Sequence, residues 1–177
     1  LGATATANNK VYDAGTAATG RIALTGLLGA DATTVSAIGT FAFGQSNVGT
    51  ALPVTLTGPT LTGAASGNYV LPTISNPTAN ITPAPLTVQV NNDGKLYSLT
   101  DAAGNSGNAA GYNGFTYSGF VGGQTASVLG SPAITVSRTG ISNPATIGAA
   151  GLEASGTYTG ALTAAGPATV GNYALTY

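Results

Sequence analysis

The residues able to do chemistry are few and scattered. The carboxylates are Asp13, Asp31, Asp93, Asp101 and Glu153, and the cations are Lys10, Arg21, Lys95 and Arg138. No two acids lie within five residues of each other, so no local stretch supplies a general acid paired with a base or nucleophile. His and Cys are absent, which removes Ser–His and Cys–His catalysis and the imidazole and thiolate ligands that most transition-metal sites use. Asn91-Asn92-Asp93-Gly94 vaguely resembles a cation loop, but it lacks a closing acid and reads as a turn. These residues predict a protein that is not an enzyme and holds no metal or cofactor.

Binding chemistry has better candidates. The second half carries an insertion: Lys95 to Gly119 is a longer interval than Lys10 to Gly26, which comes before a similar segment. The extra residues fall in TDAAGNSGNAAGYNG, a polar, Gly-rich stretch of the kind that forms loop tips, where binding functions concentrate. Tyr112, Asn113 and Asp101 there could offer a ring face and hydrogen-bonding groups to a sugar. Phe115 and Tyr117 alternate in phase with a strand and are expected in the core. Tyr69 and Tyr173 each follow Gly-Asn and precede an apolar position by two, Leu71 or Leu175. That is the setting of a tyrosine corner, whose hydroxyl ties back to nearby backbone. Lys10 and Lys95 each precede a tyrosine, Tyr12 or Tyr97, by two residues, which places ammonium and ring on one face of an extended segment. An autocatalytic Lys–Asn crosslink at these lysines would need a buried acid beside them. Asn80-Ile81-Thr82 forms a lone glycosylation sequon in a presumed strand, and chance accounts for it.

The elements that must position these residues are strands. Val54-Thr55-Leu56-Thr57, Leu86-Thr87-Val88-Gln89-Val90 and Ile134-Thr135-Val136 alternate apolar and polar, and Phe41 and Phe43 share one face. No window has a helical period, and the Ala/Gly/Asn tract 102–111 lacks helix formers and caps. Charged residues make up 5% of the chain, yet Gly, Thr, Ser or Asn interrupts every apolar run well short of the ~18–20 residues of a membrane helix. Near-neutral charge without a basic cluster argues against nucleic acid and anionic membranes as partners.

Pro83-Ala84-Pro85 interrupts two strand-like runs near the midpoint, because proline gives a ladder no N–H. Three echoes occur in the same order on either side of it: Asn8–Tyr12 with Asn92–Tyr97, Thr25–Thr33 with Ser118–Ala126, and Gly67–Leu71 with Gly171–Leu175. The pattern predicts an all-β chain of two tandem small antiparallel domains, residues 1–82 and 86–177, with 83–85 as a stiff joint. Immunoglobulin-like sandwiches are the expected fold. A β-grasp-like fold with one short helix is the alternative for the second domain.

The motifs Val11-Tyr12-Asp13-Ala14-Gly15, Leu24-Thr25-Gly26-Leu27, Asn47-Val48-Gly49-Thr50, Gly67-Asn68-Tyr69 and Ile81-Thr82-Pro83-Ala84 make the first half similar to the YDG repeat domain. Leu86-Thr87-Val88, Lys95-Leu96-Tyr97, Tyr117 to Thr125, Gly156-Thr157-Tyr158 and Gly171-Asn172-Tyr173 make the second half resemble the MBG domain. Two positions depart from the families' patterns. Ala14 stands where the first usually has Gly, and Gln124 where the second has the Asp of Gly-Asp-Thr. The resemblance implies repeat modules of large secreted bacterial adhesins, similar to filamentous haemagglutinins exported by two-partner secretion. It transfers no catalytic residue. The implied role is a stalk or spacer at the bacterial cell surface in adhesion or biofilm formation, among neighbouring repeats. The alternative role is recognition of a carbohydrate, whether host glycan, mucin or exopolysaccharide; self-association is a further possible partnership. Tyr12, Tyr97, Tyr69, Tyr173, Lys10 and Lys95 are then structural signatures.

Overall fold

The computed structural model describes residues 1–92, 114–138, 159 and 162–177. They form an all-β protein with 8% helix. The chain divides into two compact units, Leu1–Ala84 and Pro85–Tyr177.

The first unit has seven strands: β1 (Gly2–Ala7), β2 (Lys10–Val11), β3 (Ala17–Ala18), β4 (Gly20–Thr25), β5 (Ser36–Phe43), β6 (Gly49–Thr62) and β7 (Thr78–Thr82). A single helical turn, α1 (Asp31–Thr34), lies between β4 and β5. Hydrogen bonding runs in the order β1-β4-β5-β6-β7-β2, with β3 also on β5. The fourteen residues of β6 serve two ladders. Val54–Thr62 pairs with β5, and Gly49–Pro53 pairs with β7. Val54, at the junction, is fully buried.

One pair departs from the expected antiparallel arrangement: β2 runs parallel to β7, Lys10 opposite Ile81 and Val11 opposite Thr82. The cause lies in Asn8-Asn9, where the first strand leaves one ladder for another without reversing. Asn8 stays with the β4 side, its amide N–H donating to the Thr19 carbonyl and its Nδ2 to Thr19 Oγ1. Asn9 belongs to the β7 side, its Oδ1 accepting the Asn80 N–H at 2.7 Å. Asparagine side chains commonly stabilise turns, and here two of them hold a strand crossing.

The alternation read from the sequence sets the core. Phe41, Phe43 and Val54 point inward, as do Ala5, Tyr12, Val35, Ala79 and Ile81, while the intervening threonines face water. Strands β1 and β7 come into contact without pairing, so the first strand of the hydrogen-bonded path approaches the next-to-last around that core.

In the second unit the described strands are β8 (Ala84–Val90), β9 (Phe115–Ser118), β10 (Thr135–Arg138), β11 (Leu162–Ala165), β12 (Thr169–Val170) and β13 (Tyr173–Thr176). They pair as β12-β13-β8-β9 and as β10-β11. The break before β8 is narrower than the Pro-Ala-Pro tripeptide suggested. Only Pro83 lies outside a strand, and Ala84 and Pro85 already belong to β8. The ladder to β9 uses Thr87–Val90, so the missing N–H of Pro85 falls outside it. Leu86, Val88, Leu129, Tyr173 and Leu175 are buried.

The two units begin alike. In the first, Gly2 lies opposite Thr25 and Ala3 opposite Leu24; in the second, Thr87 lies opposite Ser118 and Val88 opposite Tyr117. Each ladder is followed at once by a glycine with positive φ, Gly26 at 81° and Gly119 at 118°. Three residues on, Gly29 (51°) and Gly122 (60°) turn left-handed again. A helical turn follows in each, α1 or the 3-10 turn Ala126–Leu129.

Candidate functional site

Two constellations gather the side chains that could do chemistry, and both begin at the echoes in the sequence. The first surrounds Lys10. Its Nζ donates to Asp13 Oδ1 at 2.7 Å, to the Gly15 carbonyl at 2.8 Å and to the Ala17 carbonyl at 3.1 Å. It also lies 5.6 Å from the centre of the Phe43 ring. Asp13 Oδ1 accepts the Gly15 N–H at 2.9 Å as well, closing an Asx turn. The bond from Lys10, and next the Gly15 N–H, hold the Asp13 carboxyl below the ordinary aspartate value of 3.8.

The cation–π partner is thus Phe43, across the sheet, where the spacing pointed to Tyr12. The ring of Tyr12 is instead buried in the core, while Lys10 turns to the turn that follows. The acid beside Lys10 is Asp13, whose side chain is 56% exposed, so the buried acid that a crosslink needs is not the one met here. Ala14, in the turn, has φ 67°, a conformation that suits glycine. The family's usual Gly at this position has a backbone reason.

The second constellation is a tyrosine tether, built twice. Tyr69 Oη accepts the Leu28 N–H at 3.0 Å and donates to Asp31 Oδ2 at 2.8 Å. Tyr173 Oη accepts the Val121 N–H at 3.3 Å and donates to Gln124 Oε1. Leu28 and Asp31 stand in the first loop where Val121 and Gln124 stand in the second, in step with the paired glycines. The expected corner tied the hydroxyl to nearby backbone. The observed bonds instead span 41 and 38 residues for Tyr69, and 52 and 49 for Tyr173. The reason is topological: each ring reaches the loop that follows its unit's first ladder. Strand entry also differs. Tyr173 opens β13 and Leu175 is buried, but Tyr69 to Leu71 lies outside any strand and Leu71 is only half-buried.

The tether acceptors Asp31 and Gln124 were not foreseen as site residues. The signal was present, because Thr25–Thr33 and Ser118–Ala126 align without a gap. What the alignment could not reveal is that a tyrosine more than thirty residues on reaches them.

Phe115 and Tyr117 were expected inside, and both are half-buried. Their rings stand 6.3 Å apart, Tyr117 and Phe120 5.9 Å apart, and Phe120 meets Tyr173 edge-on at 5.3 Å. The row runs from the strand face to the buried tether. Asn80 of the sequon has its side-chain oxygen occupied, accepting the N–H of Ala51, a residue held at φ 50° within a bulge of β6. Among the described residues no three acids gather in a metal-binding group. An open depression between β4 and β5 brings Arg21 beside Ile22, Ile38 and Phe41. Asp101, Tyr112, Asn113, Lys95 and Tyr97 lie outside the described residues.

Fold and tethers together define a pair of small all-β modules in which these chemically distinctive side chains are occupied with internal bonds. Residues 1–78, nearly all of the first module, match the family model of the YDG domain. Neither the curated proteins nor the solved structures gave a match. No helix among the described residues is long and apolar enough to cross a membrane.

Proposed function

We propose that this segment is a spacer in the repeat region of a secreted bacterial surface adhesin, a YDG module followed by an MBG-type module. Its work is mechanical: to project a binding region from the cell in adhesion or biofilm formation. Such a role requires no catalytic side chain, cofactor, nucleic acid or inserted membrane segment. One observation carries the reading. The tyrosine tether is repeated with the same donor and acceptor positions in both units, and the Lys10–Asp13 cluster is likewise spent on its own turn. Side chains committed to internal bonds stiffen a module and are lost to ligands. The YDG domain at residues 1–78 and the resemblance of the second half to MBG domains support the adhesin context.

The test is binding. On a glycan array, and in pull-downs with bacterial exopolysaccharide, a spacer gives no saturable signal and Tyr112→Ala changes nothing. Millimolar sugar affinity is only about 4 kcal/mol, so the loss of one stacked ring would abolish it. Saturable binding removed by Tyr112→Ala, at unchanged melting temperature, would replace the spacer with the carbohydrate-binding alternative.

A further inference from the structure

We infer that β1 is a docking edge for a second copy of this chain, the two β1 strands pairing antiparallel to continue one sheet through both molecules. The spacer reading neither contains nor requires this contact.

The first ground is an open edge. β1 pairs with β4 along its whole length, and among the described residues no second strand pairs with it; β7 comes into contact with β1 but forms no ladder with it. Its counterpart β8, with the same register to β9, has a strand on each side, β13 and β9. The position therefore accepts two neighbours in this architecture. Edge strands are ordinarily blunted by charge, proline or a bulge. Gly2-Ala3-Thr4-Ala5-Thr6-Ala7 has none of these, and its register to β4 is unbroken.

The second ground selects the occupant. Ala3-Thr4-Ala5-Thr6-Ala7 reads the same in both directions. Two copies paired antiparallel about Ala5 would place Thr4 opposite Thr6 twice, Ala3 opposite Ala7 twice, and Ala5 opposite itself. Thr4 and Thr6 are exposed and Ala5 is 9% exposed, so the solvent face meets solvent face and the core face meets core face. Directly opposed threonines are a favourable cross-strand pair. Backbone bonds supply the affinity, as in other strand additions. A net charge of −1 sets almost no repulsion against two copies meeting.

The experiment is analytical ultracentrifugation of the whole chain from about 10 µM to about 1 mM, a range that brackets weak pairing. A dimer should grow in with concentration. Thr4→Lys with Thr6→Lys puts like charges opposite each other twice and should weaken the dimer at least about tenfold, with unchanged circular dichroism. An equimolar mixture of that variant with Thr4→Glu, Thr6→Glu should dimerise again, because each position 4 faces position 6 of the other copy. A second readout uses the wild type alone: some Ala3–Ala7 amides should exchange more slowly as concentration rises. The proposal is overturned by a monomer throughout the range, by a dimer indifferent to the lysines, or by a charge-complementary mixture that stays monomeric.

Discussion

Replacing Tyr69 by Phe isolates the tether from the ring that carries it. The substitution keeps the packing and removes one hydroxyl, hence one bond accepted from the Leu28 N–H and one donated to the Asp31 carboxylate. A neutral bond contributes about 0.5–1.5 kcal/mol net and a bond to a charged group about 1.5–3 kcal/mol. Leu28 is exposed and Asp31 half-buried, so water can take up both groups once the hydroxyl has gone. That keeps the loss near the lower end, about 1–2 kcal/mol, or roughly 5–10 °C in a unit of this size. The chain has two units and is not assured two-state melting, so the cleaner readout is local. Amide exchange at Leu28 should accelerate in Tyr69→Phe. In a double-mutant cycle, Asp31→Ala should couple to Tyr69→Phe by about 1 kcal/mol, whereas Asp31→Asn, which keeps an acceptor, should couple far less. Tyr173→Phe should do the same to Val121, at greater cost because that ring is 1% exposed. Unchanged Leu28 exchange together with zero coupling to Asp31 would refute the tether.

Two further outcomes concern the Lys10 turn. Ala14→Gly should stabilise the first unit by about 0.5–1 kcal/mol: left-handed alanine costs about 1–2 kcal/mol, and glycine's freedom when unfolded returns part of that. A lower thermal midpoint would contradict it. The lowered Asp13 value means that this carboxylate adds stability above the ordinary aspartate value of 3.8 and loses it as pH falls through the lowered one. Lys10→Met removes the larger cause, so its denaturation midpoint should fall less steeply with acid than that of the wild type. The difference should stay within about 1 kcal/mol for so exposed a carboxyl, and parallel curves would deny Lys10 that role.

What was legible in the sequence was whatever has a short period. Alternation at Phe41 and Phe43, and at Leu86 and Val88, follows from side chains pointing to opposite faces of a strand, and the burial pattern agrees with it. The strand crossing at Asn8-Asn9 was not legible, because two asparagines in a row signal a turn and only Thr19 and Asn80 turn them into ladder partners. The Lys10 ammonium meets a ring other than that of Tyr12 for a similar reason. Spacing along one strand identifies the ring on its own face, whereas Phe43 comes from β5, far along the chain.

The two tethers differ in an informative way. Gly-Asn-Tyr is the closest echo between the halves, yet its backbone is not conserved in shape: Gly67 sits in a 3-10 turn, and Gly171 turns left-handed at φ 56°. What is held constant is the target of the hydroxyl. A backbone N–H and a side-chain oxygen three residues later meet it in both units, and that oxygen is a carboxylate at Asp31 but an amide at Gln124. Charge at the acceptor is therefore dispensable, and an oxygen within reach is the requirement. A chain with so few ionisable groups can lock each first-ladder loop to a distant tyrosine without ion pairs. That explains how Gln124 can stand where the first unit has Asp31 and still hold its loop.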